Sequence, residues 1–577
     1  MKKIFNKELL IAFAAGSISL SSCTNLDETL YSDLNETNID LSNETDLSLL
    51  LGAATAQYRY LVEDWFGMYH LLEESTDQYM VPARPGVGWG DAYINLHKHN
   101  WGPSVDQIYN PWQIAYRGIG YANKVIDAID PDNESTKTSL AHARFFRAMF
   151  YYHLFDMFRN VPLQTTQNVE PGYLPQQVSP EVMYQFLVDE FTFAKDNFGD
   201  DDFYGYGNKY AASMALAKLY LNKNVYLETS GNDGYEQCLA ELNTIINSGK
   251  YSLASSYKDC FKEDLSENPE IIFVIPGDRT HTVQFGLQSY CFPQSGIEAY
   301  GSTAPGYNGS CGIPQWIRTY DADDQRLADT WAGGPQYHAT KSGDTYIPCS
   351  DTSNPIYFEA DDWTGTGILT YNLNVHSIDN PGAYQQEGYR LHKYEIVGGT
   401  DDGTTSDDVA IFRYTDVLMM KAECLLRLGR DKDQAAQLVT QVRQRSFPNN
   451  PSKAVRTVAD LEGGSVYAYG HDEYTVPEGS TSGYNDWSNH VTTYEGGADI
   501  ELGGLLDDLG WEFCCELHRR QDLIRFKLKD GRNVWNGKSW FCKDATSETT
   551  YTIFSIPSEV MKANVDMKQN PGYAGAN

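Results

Sequence analysis

Ile411 to Gly429, IFRYTDVLMMKAECLLRLG, is the most regular helical signal in the chain and the feature that most restricts its fold. Ile411, Tyr414, Leu418, Ala422 and Leu425 recur at three- and four-residue steps on one face, and Phe412, Thr415, Met419 and Leu426 form a second apolar stripe beside it. A helix apolar on two sides has to be packed between neighbours. Its remaining strip sets Arg413 and Asp416 three apart and Glu423 and Arg427 four apart, spacings that allow pairing along the helix surface. Gly429 supplies a C-terminal stop, and Lys432 to Arg445 is a second amphipathic run after a short turn. The two read as a helical hairpin of tetratricopeptide type, and such hairpins stack.

Further helical runs precede it. Leu47 to Leu72 carries many apolar and aromatic residues, Trp112 to Ile129 has helical spacing through Ile114, Ile119, Ala122 and Ile126, and Leu140 to Phe158, Val178 to Asn197, Lys209 to Tyr226 and Tyr235 to Ser248 read as further helices. From Tyr251 to about Asp408 that spacing disappears and Gly, Pro, Asp, Asn and Tyr dominate, with brief strand-like runs such as Ile271 to Ile275. Val466 to Gly504 has the same texture, with Tyr467, Tyr469, Tyr484, Trp487 and Tyr494 among Gly and Ser. The expectation is a mainly α fold: a tetratricopeptide-like scaffold of helical pairs with long loop-rich insertions and a few short β-strands. Loops of that length are where function is expected.

The N-terminus has the layout of an export signal. Lys2, Lys3 and Lys7 form a basic start, Leu9 to Ala15 an apolar run too short to span a bilayer, and Leu20-Ser21-Ser22-Cys23 a cleavage site ending in cysteine. This tetrapeptide resembles a bacterial lipobox, in which Cys23 is acylated; the alternative is an ordinary secretory signal with an incidental cysteine. No other segment is long and apolar enough to cross a membrane, so the expected membrane contact is the lipid anchor alone. A formal charge of −34 argues against nucleic-acid binding, because neutralising a phosphate polyanion requires Lys and Arg. Nine cysteines follow Cys23. Cys424 and Cys514 lie in helical runs as small apolar residues, while Cys291 and Cys311 are open to bridging that spacing does not decide.

Leu509 to Lys527, LGWEFCCELHRRQDLIRFK, carries Glu512, Glu516, Arg519, Arg520, Asp522 and Arg525 among large apolar residues on one expected helix. With IFSIPSEVMKANVDMKQNPGY (Ile553 to Tyr573), with Arg413-Tyr-Thr-Asp416 through Glu423, and with Arg147-Ala-Met-Phe-Tyr-Tyr152 through Val161-Pro162-Leu163, the series resembles the SusD/RagB-like family in content and order. The resemblance implies a non-catalytic surface lipoprotein that captures oligosaccharide, less often peptide, and passes it to a SusC-like TonB-dependent transporter. It also divides the chain into a signal peptide (1–22), a lipidated tether (23–45), an N-terminal helical region (46–250), a loop-rich ligand-binding insertion (251–408) and a C-terminal region (409–577). A surface glycoside hydrolase and a purely structural or peptide-binding lid are the competing readings.

Candidate residues follow from chemistry. Paired carboxylates such as Glu512 and Glu516 could do acid and base work, but beside so many arginines a structural ion network is expected. His97 and His99 have no third metal ligand in a recognisable pattern, and neither metal nor cofactor is expected. Sugar rings stack their C–H faces on Trp and Tyr while amides and charges take the hydroxyls. Aromatics make up 13% of the chain, with 40 Tyr and 11 Trp. Three loop clusters are the candidates: Arg84, Trp89, Tyr93, Asn100 and Trp101; Tyr290, Tyr300, Tyr307, Asn308 and Trp316; and Trp363 with Tyr371. Core packing is the alternative for each. For Trp89 the flanking glycines of Pro85-Gly-Val-Gly-Trp-Gly-Asp91 favour exposure, and the acidic chain favours a neutral oligosaccharide.

Overall fold

A computed structural model of the chain describes residues 44–63, 65–84, 89–199, 204–278, 287–358, 367–378, 385–399, 406–474, 490–545 and 550–575. Cys23, Trp363, Tyr484 and Trp487 lie outside the described residues. The main helices of the N-terminal half are α1 (Glu44–Glu63), α2 (Tyr69–Glu73), α3 (Asp91–Lys98), α4 (Asp106–Ala128), α5 (Lys137–Phe158), α6 (Pro180–Asn197), α7 (Lys209–Leu221) and α8 (Asp233–Ser248). Their ends follow local chemistry. Ser179 accepts from Val182 N at the start of α6, with Pro180 in the first turn, Asn208 accepts from Tyr210 N and Ala211 N at the start of α7, and Gly249 closes α8 at φ 63°.

Each helix packs on the next: α1 on α4, α4 on α5, α5 on α6, α6 on α7 and α7 on α8. The next partner of α8 is α9 (Tyr414–Leu428), the signature helix, and α9 packs in turn on α10 (Lys432–Gln444). The helical array is therefore interrupted in sequence by residues 249–413 but continuous in space. Its interior is dense in aromatics from α5, where Phe145, Phe146, Phe150, Tyr151, Phe155 and Phe158 are all fully buried.

The interruption is closed at its base by strands. β1 (Tyr79–Met80) pairs antiparallel with β3 (Cys311–Gly312), and β2 (Ile271–Ile275) with β4 (Val409–Arg413), in the register Ile275 to Val409, Val274 to Ala410, Phe273 to Phe412 and Ile271 to Arg413. Asp408 pins the entrance, its Oδ1 accepting from Gly277 N at 2.9 Å and its Oδ2 from Leu265 N at 2.9 Å. The helical reading of Ile411 to Arg413 is corrected: these residues are strand, and the helix starts at Tyr414. The expected Arg413–Asp416 pair does not form either. Arg413 turns to Glu270, Glu512 and Glu516, and Asp416 takes Lys218 at 2.7 Å. The Glu423–Arg427 pair does form, at 2.7 Å.

Leu509 to Lys527 is also two helices rather than one, α11 (Gly503–Glu512) and α12 (Arg519–Arg525), joined by a turn in which Cys515 and Leu517 take φ 60° and 66°. The break turns Glu512 and Glu516 inward. Arg445 bonds Glu512 at 2.5 Å and Glu270 at 2.5 Å, Arg413 bonds Glu270 at 2.6 Å and Glu516 at 2.8 Å, and Lys393 bonds Glu516 at 2.6 Å. Burial alone would raise Glu270, but Arg445 and Arg413 hold it down to about 2. Cys291 and Cys311 are free thiols, with Tyr79 Oη 2.7 Å from Cys291 Sγ.

Candidate functional site

Two of the three aromatic clusters meet at one place, and a third segment joins them there. After α1 the chain turns at Trp65-Phe66-Gly67, with Met68 N bonding back to Leu61 O at 2.7 Å, and enters α2. This turn sets Trp65 against Trp89, stacked at 4.9 Å and 27°, and against the edges of Tyr290 at 4.8 Å and Tyr307 at 5.3 Å. Tyr93, presented from α3 behind Gly90 and Asp91, stands edge-on to Trp89 at 4.9 Å. Trp89 Nε1 donates to Tyr307 O at 2.7 Å, and Gly309 makes the approach possible, since a Cβ there would lie 2.3 Å from the indole. Arg84 locks the same junction, donating through Nε to Gly309 O at 2.8 Å and through Nη2 to Glu387 O at 3.1 Å.

The arrangement has two tiers. Trp65 and Tyr307 are half-buried and form an outer ledge, and Phe66, the next residue after Trp65, is 57% exposed. Trp89 at 6%, Tyr93 at 6% and Tyr290 at 0% exposure form the tier beneath. The exposure expected for Trp89 from its flanking glycines is therefore corrected: Trp65 and Tyr307, 24 and 218 residues away, pack over it. Burial first, and the nearby Glu74 carboxylate second, push the Tyr93 hydroxyl up to about 12. An aromatic ledge backed in this way has little left to order when another surface meets it.

The remaining candidates lie elsewhere. Trp101 is buried, donating through Nε1 to Tyr573 Oη at 2.7 Å and packing on Phe554 at 4.8 Å. Trp316 is fully buried, stacked on Tyr467 under the Arg519 guanidinium at 5.0 Å. Tyr300 is buried against Phe292, 3.0 Å from His392 Nδ1, and Tyr371 is buried beneath Arg390. Asn308, buried at φ 46°, accepts from Arg390 Nη2 at 3.1 Å. Asn100 is exposed, and its Nδ2 lies 3.5 Å from Asn95 Oδ1. Sequence reasoning missed Trp65 and Phe66 because they fell inside one long apolar run; Gly67 within that run is the signal that marks a break. His97 and His99 are buried, His99 stacking on Trp535 at 4.1 Å and its Nε2 lying 2.7 Å from Ser75 O. Among the described residues no cluster of His, Cys, Asp or Glu is arranged to hold a metal, and no helix is long and apolar enough to cross a membrane.

A stacked array of helical pairs carrying a backed aromatic ledge defines a helical-repeat protein. The chain belongs to the SusD family: that family's model matches residues 269–573, more than half of the chain, and a model described as starch-binding associating with outer membrane matches residues 26–221. The chain is similar to the starch-binding protein SusD of Bacteroides thetaiotaomicron, 24% identical over 82% of this chain and 80% of that one. SusD-like protein P38 of Formosa agariphila is 24% identical over 80% of this chain and 86% of its own length. Among solved structures, a SusD superfamily protein of Parabacteroides distasonis aligns with a TM-score of 0.66 at 19% identity, covering 92% of this chain and 99% of that one. A laminarin-binding SusD-like protein aligns at 0.61 and 18% identity, covering 92% of this chain and 100% of that one.

Proposed function

We propose that this protein is a cell-surface lipoprotein, anchored through Cys23, that captures a neutral oligosaccharide on the Trp65–Phe66–Tyr307 ledge and passes it to a SusC-like TonB-dependent outer-membrane transporter without catalysis. The observation that carries the reading is the ledge itself, its Trp65 fixed from below by Trp89 and Tyr290 and followed in the chain by the exposed Phe66. Sugars bury C–H faces on such surfaces, and the starch- and laminarin-binding names of relatives point the same way. The chemistry of the carboxylates supports binding over hydrolysis. Glu270, Glu423 and Glu512 are buried and tied to arginines, so none is placed to hand a proton to a glycosidic oxygen.

Isothermal titration of the purified chain against soluble starch, laminarin and a wider panel of neutral glycans tests the reading, with a reducing-sugar assay on the same samples. Saturable binding without release of reducing ends is expected, and Phe66→Ala should weaken it. No binding to any glycan in the panel, or hydrolysis of one, would sink the proposal.

A further inference from the structure

His70, in α2, touches four rings of the platform at once: Trp65 at 5.8 Å, Trp89 at 5.9 Å, Tyr93 at 5.4 Å and Tyr290 at 4.8 Å. Its imidazole occupies the centre of an aromatic enclosure that the ledge covers. One turn along, Glu74 places Oε1 2.5 Å from His70 Nδ1, and Ser310 Oγ donates to the same Oε1 at 3.1 Å. The pair joins three distant segments, 65–74, 89–93 and 290–310. The short contact sets the Nδ1 edge of the ring against Glu74 and leaves the Nε2 edge among the aromatic rings. His70 is 1% exposed and Glu74 0%, yet among the described residues neither His70 Nε2 nor Glu74 Oε2 has a hydrogen-bond partner. Leaving two such atoms unsatisfied is unfavourable, and a phenylalanine and a leucine would fill the same space without that cost. Stability alone does not account for the pair.

We infer that His70, oriented by Glu74, is the positioning residue of the binding platform: it sets the Trp65 ring against Trp89, whose own indole is held by Tyr307 O, and so the plane offered to the ligand. This rests on the ledge being the binding site. The geometry supports it, because four rings pack on the imidazole and a single carboxylate oxygen sets which of its edges is hydrogen-bonded. A conservative exchange that keeps the hydrogen bond should therefore preserve the platform, while removing the bond should loosen it.

The test uses the full chain with Glu74→Ala, Glu74→Gln and Ser310→Ala. The stacked Trp65–Trp89 pair gives an exciton couplet in circular dichroism that needs no ligand, and affinity is measured for soluble starch and laminarin. Glu74→Ala should lose the couplet and bind about tenfold or more weakly. Glu74→Gln, whose amide can still bond Nδ1, should keep the couplet and bind within about twofold of the parent. Retention of couplet and affinity by Glu74→Ala, or their loss in Glu74→Gln at an unchanged melting temperature, overturns the inference. Should Glu74→Ala fail to fold, Ser310→Ala decides: a diminished couplet and weaker binding support the inference, and parent-like values overturn it. If the parent chain binds neither glucan, the functional reading is what fails, and the couplet still decides whether Glu74 positions the rings.

Discussion

Arg525 grips Glu423 through two parallel hydrogen bonds, Nε to Oε1 at 2.7 Å and Nη2 to Oε2 at 2.8 Å, joining α12 to the middle of the signature helix 102 residues earlier in the chain. Glu423 also takes Arg427 at 2.7 Å, and Arg525 also bonds Asp522 at 2.6 Å. Both side chains are almost fully buried. Glu423→Ala leaves two guanidinium groups without their main carboxylate, so it should cost about 3–5 kcal/mol, read as a lower urea midpoint at an unchanged slope. A loss below about 1 kcal/mol, the range of exposed pairs, would show that the clasp is solvated.

Acid should unfold the protein through this lattice. Burial would raise Glu423, but Arg525 and Arg427 hold it down to about 2, and Glu270 stands at about 2 for the same reason. Folded values below the ordinary glutamate value near ~4.3 mean that the stabilisation is complete above that pH and is lost as the pH falls toward 2. Glu73 has the opposite sign. Burial first, then Cys514, push it up to about 8, so the fold holds it protonated at neutrality and its contribution declines as pH rises from about 4 to 8. Glu73→Gln keeps an acceptor for Leu517 N and should flatten the melting temperature between pH 5 and 8. An unchanged pH profile in that variant counts against the assignment.

The ledge and the core should separate cleanly. Phe66→Ala should weaken glycan binding while the melting temperature stays put, since the ring is 57% exposed. Trp316→Ala, fully buried, should cost about 3–5 kcal/mol with no selective effect on affinity. Affinity of the parent should barely respond to added salt, because a neutral sugar forms no ion pairs. A steep salt dependence would point to an anionic ligand.

Cys23→Ala should leave the protein unacylated and release it from the membrane fraction, as no helix among the described residues can hold it there. Retention after a high-salt wash would contradict the lipobox reading.

The helical array was legible because its signal is local: α4 to α8 and α10 show in the three- and four-residue spacing. The insertion was legible as texture but not as geometry. Ile411 to Arg413 reads as helix because the apolar spacing runs through it, and only Ile271–Ile275, more than 130 residues away, turns it into strand. The aromatic clusters misled for a related reason. Gly-rich surroundings suggest exposure, yet Trp101 finds Tyr573 and Trp316 finds Tyr467, partners that spacing cannot supply. The two indoles of the platform come from segments 24 residues apart, and the one nearer solvent, Trp65, was hidden in an apparently uninterrupted helix.

The ladder between Ile271–Ile275 and Val409–Arg413, with Asp408 bonded across its mouth, makes the segment between the two strands a cassette. Once the base is fixed, doubling the length of an enclosed chain costs only about 0.6 kcal/mol in closure entropy. Within it, β3 on β1, Trp316 on Tyr467 and Lys393 on Glu516 are the contacts that an exchange has to keep while α8 stays docked on α9. It brings Tyr290 and Tyr307 to a platform whose other half, Trp65 and Trp89, belongs to the frame. Grafting this cassette between homologues, with those contacts kept, would replace one half of the platform and leave the other half standing.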